Sequence, residues 1–125
     1  MIVGIGMDVV ATARIAKSLA DTGGSFEERV FTPGERLACR DRADRTQALA
    51  ARFAAKEACL KALGIGMAHG VSFEQVEVVA VDGGRPDLRL TGPAAERART
   101  LGVRRVLVTL SHEFDVAAAV VVLET

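Results

Sequence analysis

The sequence predicts an α+β fold with elements in the order β-α-α-α-β-β-α-β-β, a mainly antiparallel sheet packed on a long helix. Three observations carry that expectation. Ile2 to Asp8 is an apolar run broken by Gly4 and Gly6, which reads as a short buried strand closely approached by a neighbour or a ligand. Leu49, Phe53, Lys56, Leu60 and Leu63 recur at the spacing of one helix face, a buried stripe interrupted once by Lys56. Beyond Ser72, β-branched stretches come in pairs, and Asp82-Gly83-Gly84-Arg85-Pro86 has the chemistry of a tight turn between two of them. The 125 residues suit a single domain, 1–125, with one core.

After the first strand, Thr12 is placed to cap a helix running to about Ala20, with Ile15 and Leu19 one turn apart on its buried side; Asp21-Thr22-Gly23-Gly24 stops it. Ser25-Phe26-Glu27-Glu28 has the S-x-x-E pattern of a capping box and starts a short helix. Thr32-Pro33-Gly34-Glu35 repeats that logic with proline at the first helical position, for a helix to about Arg42. The main helix starts near Asp44, where Gln47 completes a D-x-x-Q variant of the box, and Gly64 stops it. Val76 to Val81 and Leu88-Arg89-Leu90 form the arms of a hairpin. Thr91-Gly92-Pro93 caps a helix ending at Gly102. Val103 to Ser111 and Val116 to Leu123 are the last strands, the second so uniformly apolar that both its faces should be covered.

Half the residues are apolar, which argues against disorder, and five phenylalanines with no Trp or Tyr leave the core to Val, Leu, Ile and Ala. A formal net charge of zero and the lack of a base-stacking aromatic surface argue against nucleic-acid and membrane-surface binding. The charge is uneven, however. Arg29, Arg36, Arg40, Arg42, Arg45 and Arg52 stand against only Glu35, Asp41 and Asp44, which makes either a solvated helix face or a patch for an anionic ligand or acidic partner. Cys39 and Cys59 form no C-x-x-C motif and are expected as reduced thiols. With no secretion-type N-terminal segment and no apolar run of membrane-spanning length, a cytoplasmic location is expected.

Arg52 to Gly64 carries the strongest functional signal. Glu57 and Lys61 lie one turn apart on one helix face, in a row continuing from Phe53, so the row borders the buried stripe. A Glu-Lys pair at this spacing is also common on helix surfaces, where it contributes only about a few tenths of a kcal/mol. Asp8 follows an apolar strand, where a lone carboxylate is costly unless it is paired, capping a turn or bound to a metal. Carboxylates from a strand and a helix suit Mg²⁺, which fills its octahedron with water and substrate phosphates. Position 10 is valine, so no D-x-E pair exists and two protein ligands plus water are expected. Ser111-His112-Glu113 is no catalytic triad, because neighbours on a strand point to opposite faces; His112 suits a structural role or contact with a phosphate or base. His69, in a glycine-containing loop, reads as a surface residue. Neither a Walker motif nor G-x-G-x-x-G is present, which disfavours P-loop hydrolases and dinucleotide-dependent oxidoreductases.

Four blocks then coincide with a known family: GIGMDVV at Gly4 to Val10, FTPGE at Phe31 to Glu35, ARFAAKEACLKALG at Ala51 to Gly64, and LSHE at Leu110 to Glu113. In these the chain resembles the holo-[acyl-carrier-protein] synthases, the small single-domain class of 4′-phosphopantetheinyl transferases, over nearly its whole length. The resemblance implies transfer of the 4′-phosphopantetheine arm of coenzyme A to a serine of apo acyl carrier protein, with adenosine 3′,5′-bisphosphate as the other product, in fatty acid or polyketide biosynthesis. It implies Asp8 and Glu57 as Mg²⁺ ligands and Lys61 on the coenzyme A phosphates. Arg52 and His112 would lie near the nucleotide and its 3′-phosphate, and Gly64 and Gly66 would let the backbone approach the cofactor.

Carrier proteins present an acidic helix, and the resemblance assigns Arg14, Phe26 and Arg29 to meet it. Asp21 and Gly24 stand where some relatives carry basic residues, which shifts the expected contact towards Lys17 and the later arginines. The family further implies a homotrimer with active sites at subunit interfaces, first-helix residues and the Glu57 helix coming from different protomers. The alternative is a non-catalytic module that binds coenzyme A or the carrier protein. A degenerate binder is expected to lack one of Asp8, Glu57 and Lys61, and all three are present.

Overall fold

In the computed structural model, which describes residues 1–67 and 70–125, the long helix is the element on which the others pack. The chain runs β1 (Ile2–Ala11), α1 (Thr12–Asp21), α2 (Ser25–Val30), α3 (Pro33–Cys39), α4 (Arg45–Leu63), β2 (Val76–Ala80), β3 (Pro86–Leu90), α5 (Gly92–Thr100), β4 (Arg105–Glu113) and β5 (Val116–Glu124). The expected α+β order stands, with α2 a separate short helix beside three longer ones. The strands form two antiparallel sheets, one of order β1-β5-β4 and one pairing β2 with β3.

Helix α4 is buried almost all round because its faces are alanines as well as leucines: Ala48, Ala50, Ala51, Ala54, Ala55, Ala58 and Ala62 are all buried. Small side chains let a strand lie close, and β1 answers with glycines. A Cβ at Gly6 would stand 2.0 Å from the Ala58 carbonyl oxygen, and one at Gly4 2.3 Å from that of Ala62. The close neighbour anticipated at these glycines is therefore the chain's own helix. Any side chain at either position would push α4 off the sheet.

Of the anticipated capping boxes, one forms. The Thr32 hydroxyl accepts from the Glu35 amide, and the Glu35 carboxylate accepts from the Thr32 amide. Ser25 and Thr12 fall one residue inside their helices, with Gly24 and Ala11 at the caps, so neither side chain caps anything. Asp44 does precede α4, but its carboxylate turns to Arg42 instead of to the helix amides. The expectation for β5 is met on one face only. Ala117, Ala119, Val121 and Leu123 are buried under α4, while the opposite face of the sheet shows Ile5, Met7, Val9, Leu107 and Val116 to the outside.

Lys56, the residue that breaks the apolar stripe, is wholly buried together with Glu35. Its ammonium donates to Glu35 Oε1 at 2.7 Å, to the Val76 carbonyl at 2.6 Å and to the Phe73 carbonyl at 3.1 Å, which uses all three protons. The second Glu35 oxygen accepts from the Val78 amide at 2.8 Å. Burial pushes the Lys56 ammonium below its ordinary pKa, and the Glu35 charge opposes that. The pair ties α3, α4 and β2 together. Cys39 and Cys59 are buried free thiols; burial pushes Cys59 up to about 12, which leaves it inert as a nucleophile.

Candidate active site

Asp8 lies within β1, three residues short of its end, on the same side as Gly4 and Gly6, and so faces α4. The helix meets it with Lys61, whose ammonium lies 3.1 Å from Asp8 Oδ1 and donates to the Met7 carbonyl at 3.0 Å. Glu57 is one turn back along the same helix face. Its pKa is raised, first by desolvation and then by the negative charge of Asp8, against the opposing pull of Lys61 and Arg14. The three groups expected to act together are thus gathered, two carboxylates close enough to repel and one lysine beside them, and Arg14, expected as a carrier-protein contact, stands at their edge. Among the described residues no hydrogen bond reaches the Glu57 carboxylate or the second oxygen of Asp8, so their acceptor capacity is unspent.

Arg14 reaches the site from α1 of the same chain, its guanidinium carbon 5.4 Å from the centre of the Phe53 ring. Within the single chain, the first helix thus packs against the helix that carries Glu57. Arg29 is exposed, its Nε donating to the Ser25 carbonyl at 3.3 Å, while Phe26 is half-buried, one side packed on Phe31 and Phe53 and the other open to the outside. Lys17 is engaged by Asp21 one turn away on the same exposed face.

His112 and Arg52 lie elsewhere. His112 is on β4, the opposite edge of the three-stranded sheet from β1. Asp8 pairs with Ala119, which pairs in turn with Leu110. Two strand spacings across and two residues along put His112 about 12 Å from Asp8. Its Nε2 is 3.7 Å from Asp44, which is already held bidentately by Arg42 at 2.7 and 2.9 Å. The Arg42 hydrogen bonds hold the Asp44 carboxyl below its usual range. Arg52 donates to the Ala48 carbonyl at 3.3 Å, and its Nε is buried without a partner among the described residues. Asp44 and Arg42 thus stand beside His112, a contact the sequence reading did not include; the D-x-x-Q pattern at Asp44 pointed to a cap instead.

Gly64 ends α4 in the left-handed region, at φ 70°, which requires a glycine there. Gly66 has neither a left-handed backbone nor, among the described residues, a neighbour that a Cβ would meet within 4 Å. A cavity of about 380 Å³ opens beside Gly64, lined by Ile65, Val71, Pro93 and Arg97. The reading of His69 as a surface residue falls outside the described residues. Among those described, no helix is long and apolar enough to cross a membrane.

The chain is similar in sequence and fold to known proteins. The family model for the 4′-phosphopantetheinyl transferase superfamily matches residues 4–120. The chain belongs to that superfamily. It is 51% identical to a holo-[acyl-carrier-protein] synthase of Methylobacterium nodulans, over 99% of this chain and 97% of that protein. It is 43% identical to the synthase of Maridesulfovibrio salexigens over 99% of both. In three dimensions it is similar to the holo-[acyl-carrier-protein] synthase of Neisseria meningitidis, with a TM-score of 0.90, 37% identity and full coverage of both chains. It is also similar to the Helicobacter pylori synthase in complex with coenzyme A, with a TM-score of 0.84 and 32% identity over 96% of this chain and 99% of that one.

Proposed function

We propose that this chain is a Mg²⁺-dependent holo-[acyl-carrier-protein] synthase. It transfers the 4′-phosphopantetheine arm of coenzyme A to a serine hydroxyl of apo acyl carrier protein, a step in fatty acid or polyketide biosynthesis. The observation that carries this reading is the meeting of Asp8, Glu57 and Lys61 where α4 crosses β1, in a chain whose relatives bear that name. The serine oxygen bonds to the phosphorus on the pantetheine side of the pyrophosphate. The bond from that phosphorus to the bridging oxygen breaks, and adenosine 3′,5′-bisphosphate leaves with the added charge. The serine proton passes to solvent.

Asp8 and Glu57 would hold the metal. The donor set fits: two hard carboxylates with unspent oxygens, one of them reluctant to ionise because it is desolvated and, secondly, because the other is near. When bound, Mg²⁺ supplies positive charge to the pyrophosphate. Lys61 contacts the phosphates and stabilises the departing charge, its exposed ammonium being free to turn from Asp8. Arg52 and His112 take the nucleotide end, Gly64 and Gly66 admit the cofactor to the backbone, and Arg14, Phe26 and Arg29 face the carrier protein.

The protein works in the cytoplasm as one domain and assembles as a homotrimer. The exposed apolar face carrying Ile5, Met7, Val9, Leu107 and Val116 supports assembly, as that much apolar surface on one sheet is costly to leave in water. The position of Asp8 and His112 on opposite sheet edges supports sites shared between neighbours. Incubation with coenzyme A, Mg²⁺ and apo carrier protein, followed by intact-mass measurement of the carrier, should show the gain of one phosphopantetheine arm. No gain with any of several carrier proteins would overturn the proposal.

A further inference from the structure

Four of the chain's five phenylalanines form one cluster. Phe26 packs on Phe31 at 6.2 Å and on Phe53 at 6.1 Å between ring centroids, and Phe53 packs on Phe73 at 5.3 Å. Two cations sit on it. Lys56 lies 5.7 Å from the Phe31 ring in the interior, where carbonyls and Glu35 already hold it. Arg14 lies over Phe53 at the surface, and among the described residues it has no salt bridge and no side-chain hydrogen bond. The ring is therefore what orients this arginine. Phe53 is itself only 3% exposed and is held by Phe26 and Phe73, so the face it offers is rigid. An arginine on a rigid ring loses less freedom on meeting a carboxylate than one waving in water.

We propose that Phe53 is a positioning residue for the transfer: its ring face holds the Arg14 guanidinium at the mouth of the Asp8–Glu57–Lys61 site, aimed at acidic side chains of the incoming carrier protein. This rests on the carrier-protein reading given above. A guanidinium held on a ring corresponds to roughly a twofold to fivefold change in affinity at a surface site.

Steady-state kinetics with separate titrations of carrier protein and coenzyme A test it. Phe53→Leu should raise the KM for carrier protein about twofold to fivefold, with the KM for coenzyme A and kcat unchanged. In an Arg14→Ala background the same change should add nothing, because the arginine it positions is gone. Phe73→Leu keeps an apolar side chain packed against Phe53 and does not touch the cation, and should leave the carrier KM as it is. An equal rise with Phe73→Leu, or full additivity of Phe53→Leu with Arg14→Ala, overturns the proposal. A measurement on the unaltered protein covers the case in which Phe53→Leu does not fold. The Arg14 side-chain NMR signal should be shifted upfield by the ring current, and an unshifted signal overturns the proposal equally. A wild-type protein that transfers no arm would remove the underlying reading instead, and the NMR signal would still report on the pair itself.

Discussion

Helix α4 carries two lysines five residues apart, each paired with an acid from another element, and the two pairs do opposite things. Glu35 and Lys56 are fully buried; every donor of the lysine and both oxygens of the acid are occupied by each other or by backbone groups. Asp8 and Lys61 form a single contact of 3.1 Å, with the acid 16% and the lysine 55% exposed. The chemical types are the same, so charge alone does not separate a structural pair from a functional one. What separates them is unspent bonding capacity: Asp8 has an oxygen to offer and Glu57 stands beside it, while Glu35 has nothing left.

Breaking the buried pair should have the largest effect. Lys56→Met leaves Glu35 as an unpaired buried charge and should cost about 3–5 kcal/mol of stability in denaturant unfolding, whereas combining it with Glu35→Gln should recover part of that loss. Breaking the open pair should spare the fold and remove the chemistry. Asp8→Asn or Lys61→Met should lower carrier modification about 100-fold or more, the scale of losing one contact to a developing charge, with the unfolding midpoint little changed.

A smaller effect follows from Glu57. Its folded pKa is raised, so its contribution to the metal-free fold is fully present below its unfolded value near about pH 4 and is lost as pH rises through the raised value. Saturating Mg²⁺ should therefore raise the thermal midpoint by about 2–5 °C at about pH 7.5 and leave it unchanged at about pH 4, as differential scanning fluorimetry would read. The exposed Lys17–Asp21 pair gives the limiting case. Asp21→Asn should change stability by less than about 0.5 kcal/mol, because both side chains are mostly in water.

The members of the open site stood out in the sequence one at a time, Glu57 and Lys61 sharing a helix turn and an acid being conspicuous in an apolar strand at Asp8, while their roles came from the family resemblance. The buried pair was not, since Glu35 is twenty-one residues from Lys56 and its capping box already gave it a sufficient local role. Asp44 failed for a related reason. A D-x-x-Q pattern marks a helix start, but Arg42 two residues away competes for the same carboxylate and wins. Gly4 and Gly6 announced a close approach, yet only packing shows that the partner is an alanine-faced helix of the same chain. Periodicity locates faces; it does not say which distant group spends a side chain's hydrogen bonds.

The central claim is that the unspent carboxylates of Asp8 and Glu57 form a cation site required for transfer. The direct measurement is a Mg²⁺ titration of carrier modification by intact mass, comparing the wild-type protein with Glu57→Gln. The account predicts saturable Mg²⁺ dependence in the wild type and an apparent Mg²⁺ affinity weakened by about tenfold or more in the variant. An unaltered Mg²⁺ dependence in Glu57→Gln would contradict it.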